Sequence, residues 1–376
     1  MPNRVLIVPD KFKGTLTAHA AAQAIAEGWR ESRPNDALEL LPMSDGGDGF
    51  GEVMSALISA EPRIVQTCDA AHRPHQAKWW SDPKSDTAII ESANVIGLAL
   101  LPPRKHHPFE MDTAGLGAVV TAADLAGARR LVLGIGGSAT NDGGFGLARA
   151  LGWSFLDKAG RAIERWVSLD SLEQIDPPKA WVSLPEIRVA VDVQNPLLGP
   201  IGASRIYGPQ KGLRPDDMPR AENCLERLAE ICARDLRLAP ASSPGDGAAG
   251  GLGFGLRCFL KGHLESGFEL FAHYARLQKR IESAQLVITG EGAIDDSTLM
   301  GKGVGEIAKL CHRKNVPCLG LAGTLGGDLR DSRSAEPFHY VQGITPTLTD
   351  ADGAKREAAL WLRRLAAEAA RCWPTG

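Results

Sequence analysis

Short runs of β-branched and apolar residues recur along this chain, and several end directly in a glycine or an acid. They span residues 5–9, 38–42, 88–91, 130–135, 187–193, 286–289 and 316–322. Helical patterns lie between some of them, at 17–29, 115–126, 219–236, 304–314 and 355–372. Strands alternating with helices predict an α/β protein with a mainly parallel sheet. In such sheets ligands bind beyond the carboxyl ends of the strands, and the acidic and glycine-rich loops of this chain fall there. Both chain ends read as regular βα units. The middle is less regular, with Pro-Pro joints at Pro102-Pro103 and Pro177-Pro178. The expected organisation is one domain built from residues 1–65 and 282–376, interrupted by an inserted α/β domain at 66–281.

The 42 glycines of the 376 residues exceed the usual ~7%, and they cluster beside charged or amide side chains. The clusters are Ser44-Asp-Gly-Gly-Asp-Gly49, Gly134-Ile-Gly-Gly-Ser-Ala-Thr-Asn-Asp-Gly-Gly144, Pro244-Gly-Asp-Gly-Ala-Ala-Gly-Gly-Leu-Gly253 and Thr289-Gly-Glu-Gly292, the last running on to Gly301-Lys-Gly303. Bare backbone comes close to a ligand, and exposed N–H groups in such loops bind anions. Carboxylates in the same loops repel a phosphate unless a cation lies between. The pairing points to a metal–nucleotide site and phosphoryl transfer.

A formal net charge of −3 with 23% charged residues gives no reason to expect a nucleic-acid partner or an anionic membrane surface. The seven cysteines form no C-x-x-C pair and no zinc spacing, which fits reduced thiols. No signal peptide and no apolar run of ~20 residues is expected, so the chain reads as cytoplasmic.

Single motifs have modest force. Pro9-Asp-Lys-Phe-Lys-Gly14 puts Lys11 and Lys13 at a sheet edge near a helix start, where an anion is favoured; two surface lysines in a solvated loop are the bland alternative. Asp45 and Asp48 flank a Gly-Gly turn and can reach one hard cation, or simply serve the turn. Gly134-x-Gly-x-x-Ala139 matches a dinucleotide fingerprint, but Thr140-Asn-Asp-Gly-Gly144 interrupts the helix that the fingerprint needs. A loop wrapping phosphate or substrate is expected instead. The segment from Thr289 to Gly303 is not a Walker A loop, yet it supplies Glu291, Asp295, Thr298 and Lys302 after an apolar strand. Asp192 sits in an apolar strand pattern, where an unpaired charge is costly, and Lys211 lies in a turn-like Tyr207-Gly-Pro-Gln-Lys-Gly212.

Taken in order, these motifs resemble the bacterial glycerate kinase family, of the type associated with glycerate 2-kinases. The resemblance runs through Pro9-Asp-Lys-Phe-Lys-Gly-Thr-Leu-Thr17, Ser44 to Gly49, Gly136 to Gly144, Asp192-Val-Gln-Asn-Pro-Leu-Leu-Gly199, Gly208-Pro-Gln-Lys-Gly212, Gly247-Ala-Ala-Gly-Gly251 and Ile288-Thr-Gly-Glu-Gly292. It implies a flavodoxin-like domain made from both chain ends, a distinct inserted α/β domain, and ATP-dependent phosphorylation of D-glycerate with Mg2+, generally to 2-phosphoglycerate. Three segments depart from the family pattern: Thr113-Ala-Gly-Leu-Gly117 lacks an aromatic, Ser297 stands for a glutamine, and Gly303-Val304 replaces a small residue and proline. These departures bear on the exact substrate more than on the reaction.

Phosphoryl transfer requires cations around the phosphates, carboxylates for the metal and an acceptor for the hydroxyl proton. Within the resemblance, Asp45, Asp48 and Glu291 are the metal candidates, and Asp192 and Asp295 are the candidates for the base. Lys11, Lys13, Lys211 and Lys302, with Gly136, Gly137, Ser138, Asn141, Asn195 and Thr298, are the candidates for phosphate or glycerate. A Rossmann oxidoreductase leaves the Asp-Gly clusters unexplained. A non-catalytic hydroxy-acid sensor needs no metal carboxylates.

Overall fold

The computed structural model describes residues 2–180, 182, 184–237, 243–299, 303–327 and 336–374. In chain order its strands are β1 (Arg4–Pro9), β2 (Ala37–Leu40), β3 (Glu61–Cys68), β4 (Pro74–Asp82), β5 (Thr87–Glu91), β6 (Arg130–Gly134) and β7 (Ser154–Asp157). They continue with β8 (Leu172–Asp176), β9 (Glu186–Val191), β10 (His263–Ser266), β11 (Leu286–Ile294), β12 (Cys318–Leu325) and β13 (Tyr340–Thr345). The chain divides into two compact units, one of Met1–Asp45 with Phe268–Gly376 and one of Gly46–Gly267.

The bounds expected at 65/66 and 281/282 therefore move, for local reasons. The helix Phe50–Ile58 starts in the second unit, because the buried Glu91 carboxylate at the end of β5 accepts the N–H groups of Gly49 (3.0 Å) and Gly51 (2.9 Å). β3 then pairs antiparallel with β4. At the second boundary Arg280 forms an ion pair with Glu39 of β2, which ties that stretch to the first unit.

The first unit is a five-stranded, wholly parallel sheet in the order β13-β12-β11-β1-β2. Counted within the unit this is the order 2-1-3-4-5 of flavodoxin-like sheets, whose topological switch point lies between the first and third strands, here β1 and β11. The helix Ala18–Ser32 begins at Thr17, whose hydroxyl accepts the Ala20 N–H. Its buried face (Ala21, Ala22, Ile25, Trp29) packs with Leu362, Leu365, Ala366 and Ala369 of the helix Ala358–Cys372 in one core with Ile7, Ile288 and Leu321. Both neighbours of β1 are parallel, so its residues 5–9 are buried without alternation, as two covered faces require.

The second unit carries a six-stranded mixed sheet, β10-β9-β6-β5-β4-β3, parallel from β10 to β5 and antiparallel beyond. A separate β7-β8 hairpin lies beside it in the same unit. Its core includes Ile90, Leu131, Leu133 and Val189, with Phe145, Phe155, Trp153 and Phe259 in edge-to-face contacts of 4.7–5.6 Å between ring centroids. Among the described residues no helix is long and apolar enough to cross a membrane.

Candidate active site

In the first unit the chemistry gathers at the switch point. β1 and β11 run in register to Pro9 and Gly290, and the Asp10 N–H donates to the Gly290 carbonyl at 2.8 Å. The stretch after β2 stays alongside β1, the Met43 N–H donating to the Pro9 carbonyl at 2.9 Å, and this delivers Ser44 and Asp45 to the same sheet end. Burial, the Asp45 carboxylate and, more weakly, Glu291 push the Asp10 carboxyl up to about 7, against the opposing Lys11 N–H and ammonium. Three carboxylates and Lys11 thus share one electrostatic neighbourhood. Asp10 stands in the motif that carries Lys11, and an acid directly after the first strand was the signal for it; it was not among the expected site residues.

β11 is longer than its apolar run suggests. It continues through Ile294, so Glu291 belongs to the strand rather than to a loop after it. The buried Thr298 hydroxyl donates to Glu291 Oε1 at 2.8 Å. Asp295 caps the short helix Asp296–Leu299: its Oδ1 accepts the Ser297 N–H (2.8 Å), the Ser297 hydroxyl (2.5 Å) and the Thr298 N–H (3.3 Å). Lys13 is exposed in the turn between Phe12 and Leu16. Lys302 lies outside the described residues.

In the second unit β6 ends at Gly134 and no helix resumes until Phe145–Ala150, so the dinucleotide-like run is a loop. The Gly136 N–H donates to the Gly46 carbonyl at 3.0 Å. Gly137 has φ +76°, a conformation that favours glycine, and a Cβ there would stand 2.7 Å from Asp48 Oδ1. Asp48 is exposed and belongs to this unit, whereas Asp45 belongs to the other. The Ser138 hydroxyl is buried and turned inward, 2.9 Å from the Thr140 hydroxyl.

The end of this loop is held by buried polar groups. Asp142 Oδ2 accepts the Thr113 N–H (3.0 Å), the Thr113 hydroxyl (2.7 Å) and the Gly146 N–H (2.9 Å). Burial, then the nearby Asp112 charge, push its carboxyl up to about 6. Asn141 is fully buried and donates to the Ser204 hydroxyl at 3.0 Å. Lys211 is the last residue of the helix Ala203–Lys211 rather than part of a turn. It is buried, and its Nζ donates to the Thr140 carbonyl at 2.6 Å. Burial pushes the ammonium down to about 7, with Asp142 pulling the other way.

Asp192 is not on a strand: β9 stops at Val191, and the carboxylate is exposed just past that end. The expectation of a buried acid in a rigid strand fails there, because the apolar pattern persists beyond the last ladder bond. Asn195 holds the following loop, donating to the Ile201 carbonyl (2.8 Å) and accepting from the Tyr207 hydroxyl (2.5 Å). Further along, Asp246 in the third glycine-rich segment is fully buried and bidentate with Arg257 at 2.9 and 2.8 Å. Glu91, Asp142 and Asp246 were all outside the expected set. Each is an acid whose donors come from residues distant in sequence or from loop N–H groups, so spacing carried no signal for it.

Comparison with known proteins adds to this geometry. Residues 5–374 match the model of the glycerate kinase family. The chain is 39% identical over 332 residues to glycerate 2-kinase of Escherichia coli (strain K12), covering 87% of this chain and 86% of that protein. It is 35% identical over 374 residues to a glycerate kinase of Bacillus subtilis (strain 168), covering 98% and 97%. A crystal structure described as a putative glycerate kinase 2 from Salmonella typhimurium LT2 superposes with a TM-score of 0.84 at 33% identity, covering 98% of each chain.

Proposed function

The chain belongs to the glycerate kinase family, and from that premise we propose that it transfers the γ-phosphoryl group of ATP to the 2-hydroxyl of D-glycerate with the help of Mg2+. The regiochemistry rests on the 39% identity to a relative named glycerate 2-kinase. The observation that carries the metal is the convergence of Asp10, Asp45 and Glu291 at the switch point, where burial first, and then the charges of Asp45 and, more weakly, Glu291, lift Asp10 to about 7.

That donor set fits Mg2+. Oxygen ligands suit a hard cation, and Mg2+ is usually bound through one or two carboxylates with waters and substrate phosphates. Among the described residues no three His, Cys, Asp or Glu side chains stand together as a ready-made metal cage. Asp45 and Glu291 would hold the ion, with Asp10 beside them. When bound, the cation neutralises charge on the phosphates. Thr298 orients Glu291 through its hydroxyl, and Lys11 supplies a positive charge to phosphate at the same sheet end.

In the second unit, Gly136 and Gly137 let the loop after β6 lie closely against residues 46–48. Lys211 serves the loop by holding the Thr140 carbonyl from within, rather than by touching phosphate. Asp192, exposed past β9, is the acceptor assigned to the hydroxyl proton; Asp295 is bound up in capping. Losing such a base costs typically 10²–10⁴-fold, so Asp192→Asn at undiminished turnover discards that role.

The test is incubation of the protein with D-glycerate, ATP and Mg2+, followed by ³¹P NMR of the product. A 2-phosphoglycerate resonance that vanishes with a chelator and returns with Mg2+ is the expected result. A 3-phosphoglycerate resonance overturns the regiochemistry alone. No phosphorylated product from D-glycerate, with ATP and Mg2+ present, overturns the reading.

A further inference from the structure

The segment that carries Asp192 is pinned on both sides. β9 ends in the ladder at Val191, which pairs with Ser266 of β10. Asp192, Val193 and Gln194 lie between that point and Asn195, which is the second fixed point. The Asn195 carbonyl accepts the Gly247 N–H at 2.9 Å, and its amide donates to the Ile201 carbonyl at 2.8 Å. Pro196 follows and disfavours helical backbone at Asn195. Gly247 presses so close that a Cβ there would stand 2.2 Å from the Pro196 carbonyl oxygen. A side chain makes a further tie: the Tyr207 hydroxyl donates to Asn195 Oδ1 at 2.5 Å.

Tyr207 stands on the helix Ala203–Lys211, and that helix is itself anchored near both ends. Near its start the Ser204 hydroxyl accepts the Asn141 amide at 3.0 Å; at its end Lys211 Nζ donates to the Thr140 carbonyl at 2.6 Å. Asn141, Ser204 and Lys211 are all buried, and hydrogen bonds away from water are electrostatically stronger. One helix therefore fixes residues 140–141 of the loop after β6 and, through Tyr207, the segment after β9.

Arg205 and Ile206 of this helix are exposed, whereas Tyr207 is half-buried. Burial, and then the Asp192 charge, push the Tyr207 phenol above its ordinary range, in keeping with a place beside the segment it ties. At neutral pH the phenol keeps its proton, so it acts as the donor to Asn195 and not as a base. None of the roles assigned above uses Tyr207.

We propose that Tyr207 is a positioning residue for the phosphoryl transfer: through Asn195 it holds residues 192–195 so that the Asp192 carboxylate keeps one place past the end of β9. The inference rests on the reading of Asp192 as the acceptor of the hydroxyl proton. A short segment with both ends fixed gives that carboxylate little travel, and releasing Asn195 frees one end. A misplacement of about 1 Å by a change away from the chemistry can cost ~10²-fold.

The test measures kcat and KM with D-glycerate, ATP and Mg2+ for the parent, Tyr207→Phe, Asp192→Asn and the double variant. Phenylalanine keeps the ring and removes only the hydroxyl, and the thermal midpoint checks the fold. Tyr207→Phe is expected to lower kcat about tenfold and to leave KM for ATP within about twofold. In the Asp192→Asn background the same change is expected to cost less than about twofold, because residues that act as a unit are not additive. A merely structural tyrosine would cost the same in both backgrounds. Hydrogen exchange over residues 192–199 is expected to quicken in Tyr207→Phe. An unchanged kcat overturns the proposal, as does an equal loss in both backgrounds or unchanged exchange over that segment. A parent that phosphorylates no D-glycerate overturns the kinase reading and this proposal with it, so the parent alone tells the two failures apart.

Discussion

The carboxylate of Asp142 is fully buried, yet all three of its hydrogen-bond donors reach one oxygen, Oδ2. Among the described residues Oδ1 has no hydrogen-bond partner. Asp142→Asn can therefore place its amide oxygen where Oδ2 stands and keep the Thr113 and Gly146 contacts, with its NH2 in the vacant position near the Asp112 charge. The substitution removes a buried charge without removing the network. Because the folded carboxyl titrates at about 6 instead of 3.8, the native state binds the extra proton between those values. Its stabilising effect is complete below pH 3.8 and is lost as pH rises through 6. The full loss is about 3 kcal/mol at 1.36 kcal/mol per pH unit, and somewhat under half of it falls between pH 5 and pH 7. Relative to the parent, Asp142→Asn is thus expected to gain stability as pH rises across that range, by about 1 kcal/mol. Urea unfolding at matched pH values measures this difference, with hydrogen exchange over residues 134–146 reporting the loop itself. A stability difference that is constant with pH would refute the reasoning. So would a variant that loses ground between pH 5 and pH 7, because the charge would then be compensated, with the Lys211 ammonium, which interacts with Asp142, as the partner.

Two further outcomes follow from the same unit. Gly250 has φ +71° and an added Cβ would lie 1.9 Å from the Thr140 carbonyl oxygen, so Gly250→Ala is expected to cost several kcal/mol, read as a lowered thermal midpoint. Arg257→Met strands the fully buried Asp246 carboxylate and is expected to destabilise by about 3–5 kcal/mol; the double variant Arg257→Met with Asp246→Leu should recover much of that in urea unfolding.

The parallel strands were legible because each is a short apolar run, and a strand buried on both faces shows no alternation to confuse the reading. Residues 130–135 and 286–289 stood out in that way. β3 and β4 were not visible: Glu61-Pro-Arg-Ile-Val-Gln-Thr-Cys68 is largely exposed at the sheet edge, and an edge strand keeps polar residues on both faces. β11 ran five residues past its apolar run, since Gly290 and Glu291 are paired along β12 despite their composition. The opposite error arose at Asp192, where apolar neighbours continue past the last ladder bond. Lys211 illustrates the limit on polar residues. A lysine between Gln210 and Gly212 looks like a surface turn, and only the helix that ends on it carries its ammonium under the loop.

The order of the motifs along the chain, the alternation of strands and helices, and the accumulation of acids and glycines after strands are local properties, and local properties are written in the sequence. They sufficed to place the chain in a family. Which carboxylates share a neighbourhood is a different kind of fact. Asp10 and Asp45 come from successive strands and Glu291 from more than two hundred residues further along the chain, and they meet because β1 lies between β2 and β11 in the sheet. The two aspartates of Ser44-Asp-Gly-Gly-Asp-Gly49, three residues apart, fall instead in separate units. Proton affinity follows the same rule: burial and neighbouring charge set the behaviour of Asp10, Asp142 and Lys211, and both are fixed only when distant segments pack.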